Sequence, residues 1–449
     1  MSRLAALALT LALLLLPATH ARSQDTLRLS LRDCIQLALK KNPSYLSATK
    51  QIDVAVAREH EALGGFLPQL NLQGSYTWLE KVMTVEMPPL FRFPGMPAKP
   101  QKIKLDFTLD YQGQVTLTQP LFTSGRLWHA YKQARLAAKL AREKVRQTRQ
   151  ETILQVSKSY YGCLLADEFV RVSRQAVDVA SRHLKSVKDR RAVGMATDFD
   201  VLRAQVQLSN LEPQLAKAEN GQRLAYLGLK DLIGLDSKTP IALVDTFSYR
   251  RPDLPVESAI QLALERRPEV QQMELQRQMG VQMLKLAKAN DDPMLALQGN
   301  YSFRNDKFTL DRHQWDDFYT VNVVLSVPLF DGFQTHAKVS QARSQLTSIE
   351  LAEEALKRGI RLQVRQAYSK FEEAEKRLNS QRTNVQQARE SVRIAEASYQ
   401  QGMLTNLEVI SAQLALKQAE TNWSQALYDC SVAAVEIQRA IGILDVESE

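Results

Sequence analysis

Hydrophobic and polar residues alternate along four stretches of this chain. From Leu105 the odd positions read Leu, Phe, Leu, Tyr, Gly, Val and Leu up to Leu117, while the even positions read Asp106, Thr108, Asp110, Gln112, Gln114, Thr116 and Thr118. Period two over about 13 residues predicts a strand of about 43 Å, long enough to cross a bilayer at a tilt. Before it, Leu70, Leu72, Tyr76 and Trp78 alternate with Asn71, Gln73, Ser75 and Thr77. Later, Leu295, Leu297, Tyr301 and Phe303 oppose Gln298, Asn300, Ser302 and Arg304. Tyr319, Val321, Val323, Leu325 and Val327 then oppose Thr320, Asn322 and Ser326. Strands are expected at about 69–79, 104–120, 294–304 and 318–329.

The rest of the pattern is helical and unusually long. Residues 127–192 and 334–400 contain no proline and one glycine each, Gly162 and Gly359. Runs of this length predict helices of about 100 Å. Their apolar spacing is heptad-like but diluted by small and polar residues, as in Ala134, Ala137, Ala138 and Ala141. Each long run ends at a glycine, Gly194 or Gly402, and a second helix follows, over 198–233 or 405–441. Pro213 interrupts the first of these and is expected to kink it.

The chain is written twice. Ile35-Gln36-Leu37-Ala38-Leu39 recurs as Ile260-Gln261-Leu262-Ala263-Leu264, and Pro43, Pro68 and Tyr76 recur as Pro268, Pro293 and Tyr301, all at an offset of 225. Pro120-Leu121-Phe122 recurs as Pro328-Leu329-Phe330, and Gly194-Met195 as Gly402-Met403, at an offset of 208. An insertion of 17 residues between Tyr76 and Pro120 explains the change. The expected organisation is a first repeat over 24–235, a linker over 236–255 and a second repeat over 256–449. Each repeat holds a short helix, a helix after a proline, two strands and two long helices.

Composition adds a destination. Arg3, the apolar run Leu4–Leu16, Pro17 and the small residues Ala18, Ala21 and Ser23 read as a secretory signal peptide over 1–23, cut after Ala21 or Ser23. No later apolar run suffices for a spanning helix, which excludes a polytopic helical membrane protein but not a β-barrel. The net charge of +9 is spread without a basic block, so nucleic acid is not an expected partner. Cys34, Cys163 and Cys430 lie in helical patterns and are expected as buried free thiols.

Four strands form no closed barrel, and lipid forbids their two open edges. A soluble sandwich would need a second sheet. Chains must therefore pool strands, two giving 8, three 12 and four 16.

The chain resembles the TolC-like outer-membrane efflux protein family over almost its whole mature length. The resemblance rests on the duplicated starts Ala38-Leu39-Lys40-Lys41-Asn42-Pro43 and Ala263-Leu264-Glu265-Arg266-Arg267-Pro268-Glu269. It rests also on Pro120-Leu121-Phe122-Thr123-Ser124-Gly125 with Pro328-Leu329-Phe330-Asp331-Gly332, and on the segments around Gly194 and Gly402. It implies a mainly α fold with β: an internally duplicated chain whose long antiparallel helices form a trimeric α-helical barrel. Four transmembrane strands per chain then contribute to a shared 12-stranded β-barrel. It further implies a homotrimer in outer-membrane lipid of the bacterial cell with a periplasmic tunnel, a periplasmic adaptor (membrane fusion protein) docked at the helix tips, and an inner-membrane pump beneath.

The expected function is passive export of small toxic compounds or drugs through a tripartite efflux system. The alternatives are a type I secretion duct for proteins and a pore-less structural coiled-coil protein of the periplasm. No catalytic residue, metal site or cofactor is expected, because the six histidines lack ligand spacing and no phosphate loop occurs. The tip residues Val193, Gly194, Met195, Thr197, Gly402, Met403, Leu404 and Thr405 are the candidate adaptor contacts. Capping alone accounts equally well for the polar ones, whereas Val193, Met195, Met403 and Leu404 are expected as exposed apolar residues. In the family, acids on the last helix ring the closed tip. Glu408 matches the first, Ser411 stands where the second would be, and Asp200 is the counterpart of Glu408 in the first repeat. These three are the candidate pore constriction. Arg92, Lys99, Lys102 and Lys104 lie in an expected extracellular loop.

Overall fold

The computed structural model describes residues 26–78, 80, 83–87, 101–105, 109–249, 251 and 253–444. The signal peptide, Arg92 and Lys99 lie outside the described residues. In chain order the elements are β1 (Leu27–Leu29), α1 (Leu31–Lys41), α2 (Pro43–Gly64), β2 (Gln69–Trp78), β3 (Met83–Met87), β4 (Gln101–Leu105), β5 (Leu109–Phe122), α3 (Arg126–Ala192) and α4 (Asp198–Leu232). The order continues with β6 (Ile241–Leu243), α5 (Val256–Arg266), α6 (Pro268–Lys288), β7 (Met294–Asn305), β8 (Asp316–Ser326), α7 (Gln334–Gln400) and α8 (Asn406–Ile441). The two 67-residue helices α3 and α7 are each about 100 Å long. No described helix is long and apolar enough to cross a membrane.

The chain divides into two compact units that cut across the sequence repeat: residues 1–46, 148–263 and 362–449 form one, and 47–147 and 264–361 the other. The first unit has a dry core. Helix α1 starts at a capping box in which the Asp33 carboxylate accepts from the Ser30 N–H (3.0 Å) and hydroxyl (2.7 Å). Its residues Leu31, Cys34, Ile35 and Ala38, on one helical face, pack with Ile153, Val156, Tyr160 and Cys163 of α3 and with Leu229 and Ile233 at the end of α4. The Tyr160 hydroxyl donates to Asp245 Oδ2 (2.9 Å), which also accepts from the Leu31 N–H (2.7 Å). Gly234, at φ +67°, ends α4 so close to α1 that a β-carbon there would sit 2.6 Å from Lys41 Cβ. All three cysteines are free and buried.

The second unit carries a four-stranded antiparallel sheet in the order β2-β5-β7-β8. Its register is continuous: Leu72 faces Val115, Val115 faces Tyr301, and Tyr301 faces Tyr319. Below it Asn290 Nδ2 donates to Thr335 Oγ1 (2.7 Å), and Gly280 of α6 lets α7 approach, since a β-carbon there would lie 3.2 Å from both Leu346 and Ile349.

The expectations need correcting at the strand ends and in the linker. The strand expected over 104–120 is β5, starting at Leu109, and 101–105 instead pairs with 83–87 in a separate hairpin inside the expected loop. β5 continues past Pro120 because a bulge between Pro120 and Phe122 accommodates the missing N–H. The strand expected to reach 329 ends at Ser326, two residues before Pro328, and starts at Asp316. The linker contains β6, which pairs in parallel with β1. Pro213 lies within α4, which continues on both sides of it.

Candidate functional site

Two hairpin tips meet in the first unit. Helix α3 ends in a left-handed glycine, Gly194 (φ +77°), whose following Met195 N–H donates to Arg190 O at 2.8 Å. Helix α7 ends the same way at Gly402 (φ +74°), with the Met403 N–H on Ser398 O at 2.9 Å. The returning helices open on Thr197 and Thr405. Asp200 Oδ2 accepts from the Thr197 N–H (3.0 Å) and hydroxyl (2.7 Å), and the Asp200 N–H returns a bond to Thr197 Oγ1 (3.1 Å). Glu408 Oε2 accepts from the Thr405 N–H (2.7 Å) and hydroxyl (2.9 Å). Hydrogen bonds from the Thr197 hydroxyl and N–H hold the Asp200 carboxyl below the usual range, and those from the Thr405 N–H and hydroxyl do the same for Glu408.

The two tips share a small core of Leu184, Val187, Ala204, Ala395, Tyr399 and Val409. Polar links bind one hairpin to the other around it. Arg190 donates through Nη1 to the carbonyls of Tyr399 (2.9 Å) and Gln400 (3.1 Å), capping the end of α7, with its guanidinium 4.8 Å from the Tyr399 ring centre. Asn406 Nδ2 donates to Asp200 O (2.9 Å), and its oxygen lies 2.7 Å from Nε2 of the buried His183. Neither His183 nor Arg190 nor Asn406 was singled out from sequence. For Arg190 a signal was available in the basic pair Arg190-Arg191 at the end of the long run, a position suited to capping helix carbonyls.

Val193, Met195 and Met403 are exposed, each about two-thirds accessible in the single chain. Leu404 is not: it is half-buried against the tip core, because the turn after Gly402 folds it under. Glu408 and Ser411 line one groove of about 1020 Å³ between α7 and α8, with Glu390, Ile394 and Leu407. Asp200 belongs to the other hairpin and does not line that groove. Among the described residues no cluster of three or more His, Cys, Asp or Glu is placed to hold a metal.

The sheet sorts its side chains by face. Directly paired residues project to the same side. One face carries Leu70, Leu72, Tyr76, Trp78, Tyr111, Val115, Leu117, Tyr301, Phe303, Tyr319 and Val321, and the other Asn71, Gln73, Thr77, Gln112, Gln114, Thr116, Asn300, Ser302 and Thr320. One side suits lipid and the other water. At the loop end of the apolar face, Tyr76 meets Tyr111 (ring centres 4.8 Å apart), and Phe303 meets Trp315 edge-on (5.5 Å).

A family model described as outer membrane efflux protein matches residues 34–235 and 259–443. The outer membrane protein TolC of Vibrio cholerae is 25% identical over 424 residues, covering 92% of this chain and 91% of that protein. The alkaline protease secretion protein AprF of Pseudomonas aeruginosa is 25% identical over 434 residues, 94% of this chain and 86% of that protein. Among solved structures, a crystal structure of CusC superimposes with a TM-score of 0.77 at 18% identity, covering 92% of each chain.

Proposed function

Since this chain belongs to the outer membrane efflux protein family and serves as an outer-membrane export duct, we propose that the working unit is a homotrimer. Its twelve strands close into one barrel in the outer membrane, and its long helices continue as a periplasmic tunnel. Each chain supplies one repeat over 24–235 and another over 256–449, joined by the 236–255 linker. The observation that carries this is the sheet: four strands of membrane-spanning length, apolar on one face and polar on the other, with β2 and β8 at its two ends. Closing such sheets edge to edge puts every apolar face on lipid and every polar face on a lumen. The duct is passive, and an inner-membrane pump and a periplasmic adaptor complete a tripartite efflux system for small toxic compounds. Export of proteins is the second reading, favoured by the similarity to a relative named for protease secretion.

The adaptor contacts in this reading are Val193, Met195 and Met403, exposed around the turns made by Gly194 and Gly402. Leu404, Thr197 and Thr405 support those turns from beneath. Gly194→Asp with Gly402→Asp is expected to abolish assembly with the adaptor, measured by co-purification. Glu408 forms the constriction with Ser411 beside it, where three converging carboxylates repel anions and hold cations. Asp200, the third candidate for the constriction, caps α4 through Thr197, and its carbonyl takes the Asn406 bond that ties the two hairpins together.

Planar-bilayer recording tests the whole reading. The wild type is expected to give discrete single-channel currents that divalent cations block. Glu408→Gln, which keeps an acceptor for the Thr405 N–H, is expected to lose that block. Silence from the wild type and from Glu408→Gln, with protein that stays in solution without detergent, overturns the duct.

A further inference from the structure

The four strands of the β2-β5-β7-β8 sheet carry few charges on their polar face, and those few share one level. Arg304 of β7 donates from Nε to Asp110 Oδ1 of β5 at 2.6 Å. Asp316 of β8 is the direct cross-strand partner of Arg304. The other polar-face positions of β2, β5, β7 and β8 are neutral, mostly Asn, Gln, Ser and Thr. This level lies at the loop end of the sheet, where β7 ends at Asn305 and β8 begins at Asp316. Asp317, one residue on, belongs to the opposite face, where Tyr301 donates to it at 2.7 Å.

We propose that Arg304, set between Asp110 and Asp316, fixes the charge preference of the duct at its outer mouth. The proposal rests on the duct reading, in which the polar face lines the lumen. Per chain the level carries two carboxylates and one guanidinium, so each copy contributes one net negative charge and the mouth favours cations modestly. Arg304 is the counterweight that stops the mouth from becoming a strong cation trap, which suits a conduit passing cargo of either sign. Twelve strands about 4.8 Å apart, tilted about 40°, give a backbone radius of about 12 Å. Side chains on the wall therefore sit within about one Debye length of the axis, and their net charge is felt there.

The test is the potassium-to-chloride permeability ratio, read from single-channel reversal potentials in a KCl gradient. It is measured in the wild-type chain and again in the Glu408→Gln background, so that the tip acid does not mask the mouth. Arg304→Gln doubles the net negative charge of the level and is expected to raise the ratio about threefold. Asp110→Asn brings the level to neutrality and is expected to lower it by a similar factor. The exchange Asp110→Arg with Arg304→Asp keeps the sum and is expected to restore the wild-type ratio. Ratios that stay put in both single variants and both backgrounds, while currents are still recorded, overturn the proposal. So does loss of the oligomer in both single variants that the exchange rescues without either variant's residual channels shifting the ratio, since the pair is then a clasp between strands. Absence of current from the wild type itself strikes the duct reading first, and this proposal with it.

Discussion

Gly113 is expected to tolerate a side chain only if Phe303 is removed. The Phe303 ring lies across Gly113 from the neighbouring strand, so a β-carbon at 113 would sit 2.0 Å from Cζ and 2.1 Å from Cε2. Gly113→Val must therefore push the ring aside, which costs about 2 kcal/mol by overpacking. Moving the ring also weakens its edge-on contact with Trp315 and its tilted contact with Tyr301, about 1 kcal/mol more. Against this, a β-branched residue in mid-strand gains about 1 kcal/mol over glycine. The net loss is about 2 kcal/mol. In a Phe303→Ala background the clash is gone and only the strand preference remains, so the same Gly113→Val is expected to stabilise by about 1 kcal/mol. The change of sign, a coupling of about 3 kcal/mol, is large for any residue pair in contact. Urea unfolding of protein folded into phosphatidylcholine vesicles, followed by the mobility of the folded form in unheated gels, measures it. A Gly113→Val penalty that is the same with and without Phe303 refutes the reasoning.

Three further outcomes are expected. Thr197→Ala removes an N-cap and is expected to cost about 1 kcal/mol. Because the Asp200 carboxyl is held low by Thr197, its contribution is present in full above the unfolded carboxylate range, near pH 4, and is lost as pH falls through the lower folded value. Hydrogen exchange over 197–204 checks both: opening rises on acidification in the wild type and loses that dependence in the variant. Cys34 and Cys163, whose thiols burial pushes up to about 12, are expected to ignore a maleimide at pH 8 in the folded protein and to react within minutes after unfolding, read by mass. Gly234→Ala is expected to destabilise by about 2 kcal/mol, since it adds a clash with Lys41 to a strained left-handed residue. Gly194→Ala, with open space around its β-carbon, meets only the backbone penalty of about 1 kcal/mol; equal losses at both sites would refute the packing argument.

The long helices were legible to within a residue or two because nothing interrupts them and each end carries its own chemistry. Gly194 and Gly402 stop α3 and α7, and Thr197 and Thr405 restart the chain. The strands were legible in position because alternation over ten residues or more is hard to produce otherwise. Their ends were not, since pairing decides them: Pro120 is absorbed by a bulge only because β7 is there to form it. The β1–β6 pair escaped because three residues per strand carry no period. The hairpin of β3 and β4 was hidden in a proline-rich stretch that reads as loop. At the tips, the caps were visible locally, but the bonds from His183 to Asn406 and from Arg190 to Tyr399 join residues more than 200 positions apart, and no local pattern announces them. Leu404 was misjudged for the same reason, because its exposure depends on a hairpin distant in sequence.

The edges of the sheet decide what a single chain cannot do. Among the described residues β2 pairs only with β5 in the sheet, and β8 only with β7. A ten-residue strand such as β2 turns about five N–H and five C=O groups toward its free edge, and β8 does the same on the other side. In hydrocarbon each unpaired group costs several kcal/mol, so the two edges together exceed the whole stability of an ordinary domain, about 5–15 kcal/mol. One chain alone therefore cannot hold this sheet in lipid. The four strands alternate in direction, so β2 of a second copy laid beside β8 of the first runs antiparallel to it, and the hydrogen-bond pattern continues without a break. The apolar face also stays on the same side across such a joint, because copies related by rotation about one axis all keep the same face outward. The contact is head-to-tail; such a contact closes into a ring or runs on as an open filament according to its rotation, and in lipid the closed ring is the form that leaves no free edge. Strand count, direction and face are thus all compatible with the homotrimeric barrel proposed above, in which β8 of each copy meets β2 of the next.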